Sequence, residues 1–509
     1  MRSKLLGCIF LYTLFFSCRT KVPQGDDGKI TLTLVLVNDV YEIAPLEGGK
    51  SGGMARVATL KKQQLSKNKN TLLLMAGDFV SPSVYGSLTY EGKRIRGRQM
   101  IDAMNAAGFD IVGFGNHEFD ISEKDLQDRI DESNFTWVSA NAFHKKKDVI
   151  EPFQKTTTKE SFPKYYFKTI SDDDGTKARI GFISVVLPSN PAEYVSYTDP
   201  VSTAIETYNL IKDSCDATIA ITHMTIEDDI KLAKALPGLA MILGGHEHDM
   251  KFEKIKRVYI AKAHANAKSA YVTTLHINKK RSKIFTEKPK LVSLDEKITL
   301  DSITNLTVQK WVKIANDNYA ASGFDAAAVI PYNGEPLEGR EGHTRRSSTN
   351  LTKLITDAML FAAPQAEAAI FNSGSIRVDD ILYPPITQYD ILRTLPFGGG
   401  LRELDIKGDL LIKVLEAGLT NRGSGGWLQF GNINMSKEHS WMINNLPIDS
   451  VKTYKIVVPD YLITGKETNL GFFNEQNTGV IKMYPAQTSV GHPQSDVRLA
   501  IIKYLEQKK

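Results

Sequence analysis

Between about residues 30 and 293 the chain repeats one pattern: an apolar run of strand length, a polar or glycine-containing turn at its carboxyl end, and often a stretch with helical spacing. The runs fall at 32–37, 71–76, 110–114, 136–140, 179–186, 217–221, 241–243, 258–261 and 271–277. They are nearly continuous in apolar residues and alternate little, which marks strands covered on both faces. The pattern predicts a layered α/β domain with one large sheet or two packed sheets. Residues 300–319 then place Ile303, Val308, Trp311, Val312 and Ile314 at helical spacing and predict a linker helix. From Asp325 the pattern restarts with a helix at 351–361, a strand at 368–371 and several short α+β elements. The expected organisation is a leader at 1–17, a first domain at 28–299, the linker helix within 300–324 and a second domain at 325–509.

The leader follows from its own composition. Met1 to Lys4 is short and basic, and the twelve-residue apolar run at 5–16 is too short to span a bilayer. This reads as a secretory signal. Ser17 before Cys18 resembles a bacterial lipoprotein cleavage box, so the expectation is an exported protein, periplasmic or on the outer membrane or cell surface, attached to a membrane through a lipidated Cys18. Charge changes the picture little. Lys+Arg number 63 and Asp+Glu 58, a net +5 with no clustered cations, which argues against a nucleic-acid partner. Cys8, Cys18 and Cys215 cannot make a disulfide framework or a cysteine-based zinc site. Nothing in the sequence sets an oligomeric state.

The candidate chemistry lies at the strand ends, where open α/β domains place their ligands. Those ends read Asn38-Asp39, Gly77-Asp78, Gly115-Asn116-His117-Glu118-Phe119-Asp120, Thr222-His223 and Gly244-Gly245-His246-Glu247-His248. A histidine at one strand end is commonly a satisfied hydrogen-bonding residue, and a Gly-Asp pair is commonly a turn. Acid, acid, amide with imidazole, imidazole, and two imidazoles in sequence order are a different matter. Mixed carboxylate, amide and imidazole donors suit borderline divalent ions such as Zn, Mn, Fe or Co. Two such ions about 3.5–4 Å apart clamp the attacking and leaving oxygens of a phosphoryl transfer.

These motifs resemble the calcineurin-like metallophosphoesterases and, more closely, the 5'-nucleotidase family, over nearly the whole chain beyond the leader. Gly53-Met54-Ala55-Arg56 is similar to a further family segment, and the Gly-Asn-His-Glu-Phe-Asp block is highly specific. The resemblance implies an N-terminal α/β/β/α metallophosphoesterase sandwich and a C-terminal α+β nucleotidase domain. It implies two divalent ions, with Asp78 bridging, Asp39 and His248 on one ion, and Asn116, His223 and His246 on the other. His117 would stabilise the transition state or protonate the leaving alkoxide, with Asp120 orienting it, while water activated by the ions attacks phosphorus.

The second half extends the resemblance. Asn372-Ser373-Gly374-Ser375-Ile376-Arg377 and Leu395-Pro396-Phe397-Gly398-Gly399 are similar to the family's substrate-binding turns. By that likeness Asn372 and Gly374 shape the turn, Arg345 and Arg377 hold the phosphate or acidic end, and Phe397 and Tyr461 sandwich the base. The implied activity is removal of the 5'-phosphate from nucleoside monophosphates. A cyclic-nucleotide phosphodiesterase or nucleotide-sugar hydrolase on the same fold is one alternative; a nucleotide-binding surface protein without catalysis is another. The chain departs from the family at Tyr41, where a metal-binding histidine is usual, and at His248, where Asn or Gln is usual. Tyr41 is readable as a phenolate ligand or, the preferred reading, as a neutral phenol lining the site. The acid that would touch ribose or base has two candidates, Glu467 and Asn469.

Overall fold

The computed structural model describes residues 26–189 and 192–508. The leader and Cys18 lie outside the described residues. Among the described residues no helix is long and apolar enough to cross a membrane.

The first domain is two packed sheets. One has seven strands, with Lys29–Val37, Thr71–Ala76, Ile111–Gly113 and Thr136–Val138 running parallel from its centre to one edge. The other has six, with Lys177–Val186, Ala217–His223, Met241–Gly245 and Val258–Lys262 parallel. The strand period of two decides where each side chain goes. Leu32, Leu34 and Leu36 enter the layer between the sheets, facing Phe182, Ile219 and Leu243. Val35 and Val37 enter the opposite layer, beneath the helices Met54–Leu65 and Arg98–Ala107. The helices Pro200–Ile211 and Ile226–Ala235 cover the second sheet on Ile183, Ala220 and Ile242. Both faces of each sheet are therefore apolar, which is why the sequence shows runs rather than alternation. The result is the expected α/β/β/α sandwich, followed by a separate C-terminal α+β domain.

That second domain has a mixed five-stranded sheet in the order Leu428–Gly431, Ala368–Asn372, Thr453–Pro459, Leu401–Lys407, Val480–Met483. Asn350–Ala362 and Val497–Gln507 pack on one face; Gly408–Thr420 packs on the other, with Leu411 and Val414 against Ile370 and Leu404. Between the domains runs the helix Ser302–Ala321, whose N-cap Asp301 accepts from the Thr304 backbone N–H. Trp311 of this helix is fully buried and its indole donates to Asp102 at 3.0 Å.

A buried polar cluster joins the three parts. Glu42 of the first domain accepts from the Tyr389 hydroxyl of the second. Tyr85, also of the first domain, and Tyr319 of the linking helix complete it, with Tyr319 and Tyr389 ring centroids 6.4 Å apart. Burial raises the Glu42 carboxyl from 4.5 to about 7, although the Tyr389 hydrogen bond and the Arg393 charge oppose the rise. The folded chain thus holds this proton more tightly than the unfolded chain, so Glu42's contribution to stability is complete below its ordinary range and is lost as pH rises through about 7. Glu42→Gln should gain melting temperature relative to the parent at about pH 8 and lose that advantage by about pH 5. Parallel pH profiles of the two proteins would show that Glu42 does not titrate in this interval.

Candidate metal centre and substrate cavity

The strand ends converge as the sequence motifs require. Asp39 follows Lys29–Val37, and Asp78 follows the adjacent parallel strand Thr71–Ala76. His223 ends its strand, and His246 and His248 follow Met241–Gly245. Asp39, Asp78, His246 and His248 all have left-handed backbone, with φ of 53°, 57°, 95° and 58°. That region disfavours residues with a Cβ, and such strain gathers at functional sites. The glycines beside them are required by space: a Cβ on Gly115 would overlap the Asp78 carboxylate, and one on Gly245 would collide with the Ala76 carbonyl.

Donor atoms of Asp39, Asp78 and His248 lie within 4.8 Å of one another. His223 Nε2 is 3.1 Å from Asp78 Oδ2 and 3.9 Å from Asp39 Oδ1, yet it is buried without a hydrogen bond. Asn116 Oδ1 is likewise buried and unpartnered. Buried polar atoms are almost always satisfied, so an unpartnered imidazole nitrogen beside two carboxylates, together with an unpartnered amide oxygen, is a chemical fit for cations. The electrostatics agree. Against burial, Asp78 and Asp39 lift His223 to about 9, so the carboxylates draw positive charge toward this point. Burial and the neighbouring His223 charge hold His246 down to about 4, leaving a neutral imidazole with a lone pair to give.

Tyr41 stands at the centre of the group. Its hydroxyl is 2.9 Å from His248 Nε2 and 3.2 Å from Asp78 Oδ2. Burial and then the charges of Asp78 and Asp39 raise it well above the ordinary tyrosine value. The hydroxyl thus lines the site, and burial among these carboxylates disfavours the phenolate.

His117 opens the turn His117–Asp120. Its Nδ1 pairs with Asp120 Oδ2 at 2.5 Å, which fixes the tautomer and leaves Nε2 as the ring nitrogen for proton exchange. Burial opposes protonation of the ring, but Asp78 and the Asp120 hydrogen bond outweigh it and raise its pKa. Phe119 anchors the turn, its ring 4.9 Å from Phe114 in an aromatic cluster. From the second domain Arg377 reaches across, its guanidinium 3.4 Å from Asp120 Oδ2 and 3.3 Å from His117 Nδ1. A cavity of about 460 Å³ lies between the domains, with Asp78, Asn116, His117, His246 and His248 on one wall and Arg340, Arg345, Arg346 and Arg377 among those on the other.

Not every expected substrate residue reaches that cavity. Phe397 and Tyr461 are 60% and 43% exposed, large rings left open to solvent. Phe397 lies beside the cavity, its ring centroid 5.9 Å from the Arg377 guanidinium carbon. Asn372 instead donates to Glu467 at 2.9 Å, and the backbone N–H of Gly374 bonds to the Gly425 carbonyl at 2.7 Å. Of the two acid-position candidates, Glu467 therefore meets the Asn372 turn, whereas Asn469 donates to Asn421 at 2.7 Å.

Residues 32–250 match the calcineurin-like phosphoesterase family, and residues 327–475 match the 5'-nucleotidase C-terminal domain. The chain is a 5'-nucleotidase-family metallophosphoesterase. It is 27% identical to the trifunctional nucleotide phosphoesterase protein YfkN of Bacillus subtilis over 88% of this chain, spanning about a third (32%) of that relative's length. It is 24% identical to the 5'-nucleotidase of Bos taurus, over 88% of this chain and 85% of the relative. The structure of a 5'-nucleotidase precursor from Thermus thermophilus superposes with a TM-score of 0.69 at 23% identity, covering 94% of this chain and 97% of the other.

Three features of this metallophosphoesterase site were not read from its sequence. Asp379 of the second domain bonds to His248 Nδ1. Lys262, fully buried, pairs with Asp229 at 2.8 Å and with Glu247 at 2.6 Å, pinning the loop between His246 and His248. Glu118 accepts four backbone N–H groups, from Asp78 at 2.9 Å, Phe79 at 2.7 Å, Val80 at 3.0 Å and Gly115 at 2.6 Å. It is the clamp that holds together the turn after Ala76 and the turn that carries Asn116. Glu118→Gln offers an amide where four donors converge and should lower unfolding free energy by about 1–3 kcal/mol, measured by denaturant titration. An unchanged midpoint would mean that other contacts hold the turns.

Proposed function

We propose that this protein is an exported dimetal hydrolase that removes the 5'-phosphate from nucleoside monophosphates. The observation that carries the reading is the shared cavity: metal-donor residues of the first domain face arginines of the second. A phosphate monoester is the ligand whose charge suits both walls. Asp39, His248 and Asp78 would hold one divalent ion, and Asp78, Asn116, His223 and His246 the other. Ions there, of the Zn, Mn, Co or Fe type, would stabilise developing negative charge on the phosphoryl group and make water acidic enough to attack near neutral pH.

The chain's own residues supply the rest. Arg377 and Arg345 orient the phosphate, which lowers the entropic part of the barrier. As the bond from phosphorus to the 5'-oxygen breaks and water's oxygen takes its place, His117 Nε2 gives its proton to the departing alkoxide. Asp120 orients the ring through Nδ1 and stabilises the protonated imidazole that carries this proton. Phe397 and Tyr461 present exposed rings to the base, each such stack contributing about 1–3 kcal/mol. Relatives named 5'-nucleotidase support the substrate, and the trifunctional relative supports keeping other nucleotide esters under test.

The chain without its leader, supplied with Mn, Co or Zn, should turn over AMP in preference to a 2',3'-cyclic nucleotide and a sugar nucleotide, and a chelator should abolish the activity. Preference for either other substrate would move the function to that class; no turnover of any would favour binding without catalysis. His117→Ala should lower kcat by about 10²–10⁴-fold while metal content by elemental analysis holds. Collapse of metal content instead would make His117 a ligand.

A further inference from the structure

We propose that Asp379 is a positioning residue through which the C-terminal domain sets the affinity of one of the two metal positions. The inference rests on the dimetal reading above. His248 reaches the ligand group through Nε2, 3.4 Å from Asp39 Oδ1 and 2.9 Å from the Tyr41 hydroxyl. Its other ring nitrogen, Nδ1, is hydrogen-bonded to Asp379, which belongs to the other domain. A carboxylate behind a ligating imidazole fixes the ring's tautomer and orientation and makes the opposite nitrogen a better donor.

Asp379 is itself held. It has left-handed backbone, φ 39°, and its second carboxylate oxygen accepts the backbone N–H of Glu341. Glu341 in turn pairs with Arg345 at 2.5 Å, so the carboxylate is tied to the arginine wall of the cavity. Two residues earlier, Arg377 contacts Asp120 and His117. One residue later, Asp380 pairs with Lys268 of the first domain at 2.5 Å. The short segment 377–380 therefore touches the first domain at three points, and one of them is the back of a ligand.

Two consequences follow. The ion held by His248 binds best when the domains meet as they do here. By reciprocity of linked equilibria, a nucleotide that fastens the C-terminal domain in place tightens that ion, and that ion tightens the nucleotide. The other position is indifferent to Asp379, since the ring behind His223 Nε2 is held through Nδ1 by the Ala76 carbonyl of the first domain, at 2.8 Å.

The test is titration of Mn²⁺ into the metal-stripped full chain, with free Mn²⁺ followed by electron paramagnetic resonance, in the presence and absence of a non-hydrolysable AMP phosphonate. Asp379→Ala should weaken one of two sites by about 10–100-fold and leave the other unchanged. Asp379→Asn, which keeps an acceptor, should recover part of the loss. The phosphonate should tighten the weaker site in the parent and not in Asp379→Ala. In a His248→Asn background, Asp379→Ala should add nothing. Two parental affinities in Asp379→Ala, or equal weakening of both sites, overturns the inference while leaving the dimetal reading in place. A parent protein that binds no Mn²⁺ overturns both.

Discussion

Two carboxylates, Asp39 and Asp78, are buried at the ends of adjacent parallel strands, 0% and 1% exposed, and the first domain is organised around that charge. Burying an uncompensated carboxylate costs several kcal/mol or more, so it is neutralised, hydrogen-bonded or paired with a cation. Backbone N–H groups answer part of the demand: His246 donates to both Asp39 oxygens, at 3.2 and 2.9 Å, and His117 donates to Asp78 at 2.8 Å. The Asn38 side-chain amide adds a second donor to Asp39 at 2.7 Å. Aiming these groups inward requires the left-handed turns, the glycines that have no room for a Cβ, and the clamps made by Glu118 and Lys262. The His223 imidazole and the Asn116 amide, each with a buried, unpartnered atom, then complete a pocket whose remaining need is positive charge.

The second domain meets this arrangement with the opposite sign at one remove. Its arginines face the cavity rather than the carboxylates, so the charges are separated by the space a phosphate would fill. Arg377 is the exception, and it bonds to Asp120, the acid that orients His117, rather than to a metal-site carboxylate. The metal-site carboxylates and the cavity arginines therefore do not cancel each other directly, and the cavity keeps its capacity for an anionic ligand.

How much of this the sequence disclosed depends on the range of each signal. The strands and the chemistry at their ends were legible because each motif is local: an apolar run, a turn, a polar residue. The helix at Ser302–Ala321 was legible from its spacing. The small sheet of Ala142–Lys146, Val149–Glu151 and Val195–Tyr197 was not, because its strands are three to five residues long and carry no apolar run. Glu118 sat inside the most specific motif and read as a spacer; its four donors come from two turns that only the fold brings together. Lys262 would be placed on the surface by composition, yet Asp229 and Glu247, from two other segments, keep it inside. Asp379 lies in the same turn as Arg377, but its partner His248 sits in another domain, far back along the chain and beyond any local pattern.

The two departures from the family pattern also gain a physical account together. A phenol at position 41 offers no strong nitrogen donor, and an imidazole at 248 restores one within the same group of atoms. An amide at 248 would need no partner behind it, because its oxygen has no tautomer to fix. An imidazole does need one, since either nitrogen can carry the proton, and only one state presents a lone pair to the ligand group. Asp379 resolves that ambiguity by accepting from Nδ1, which leaves Nε2 as the donor beside Asp39 and the Tyr41 hydroxyl. The Tyr41 hydroxyl is then placed to donate a hydrogen bond to Asp78 at 3.2 Å, in a site already rich in negative charge. In this chain the phenol at 41 and the imidazole at 248 are thus accompanied by a carboxylate at 379, which settles the ring nitrogen that faces the ligand group.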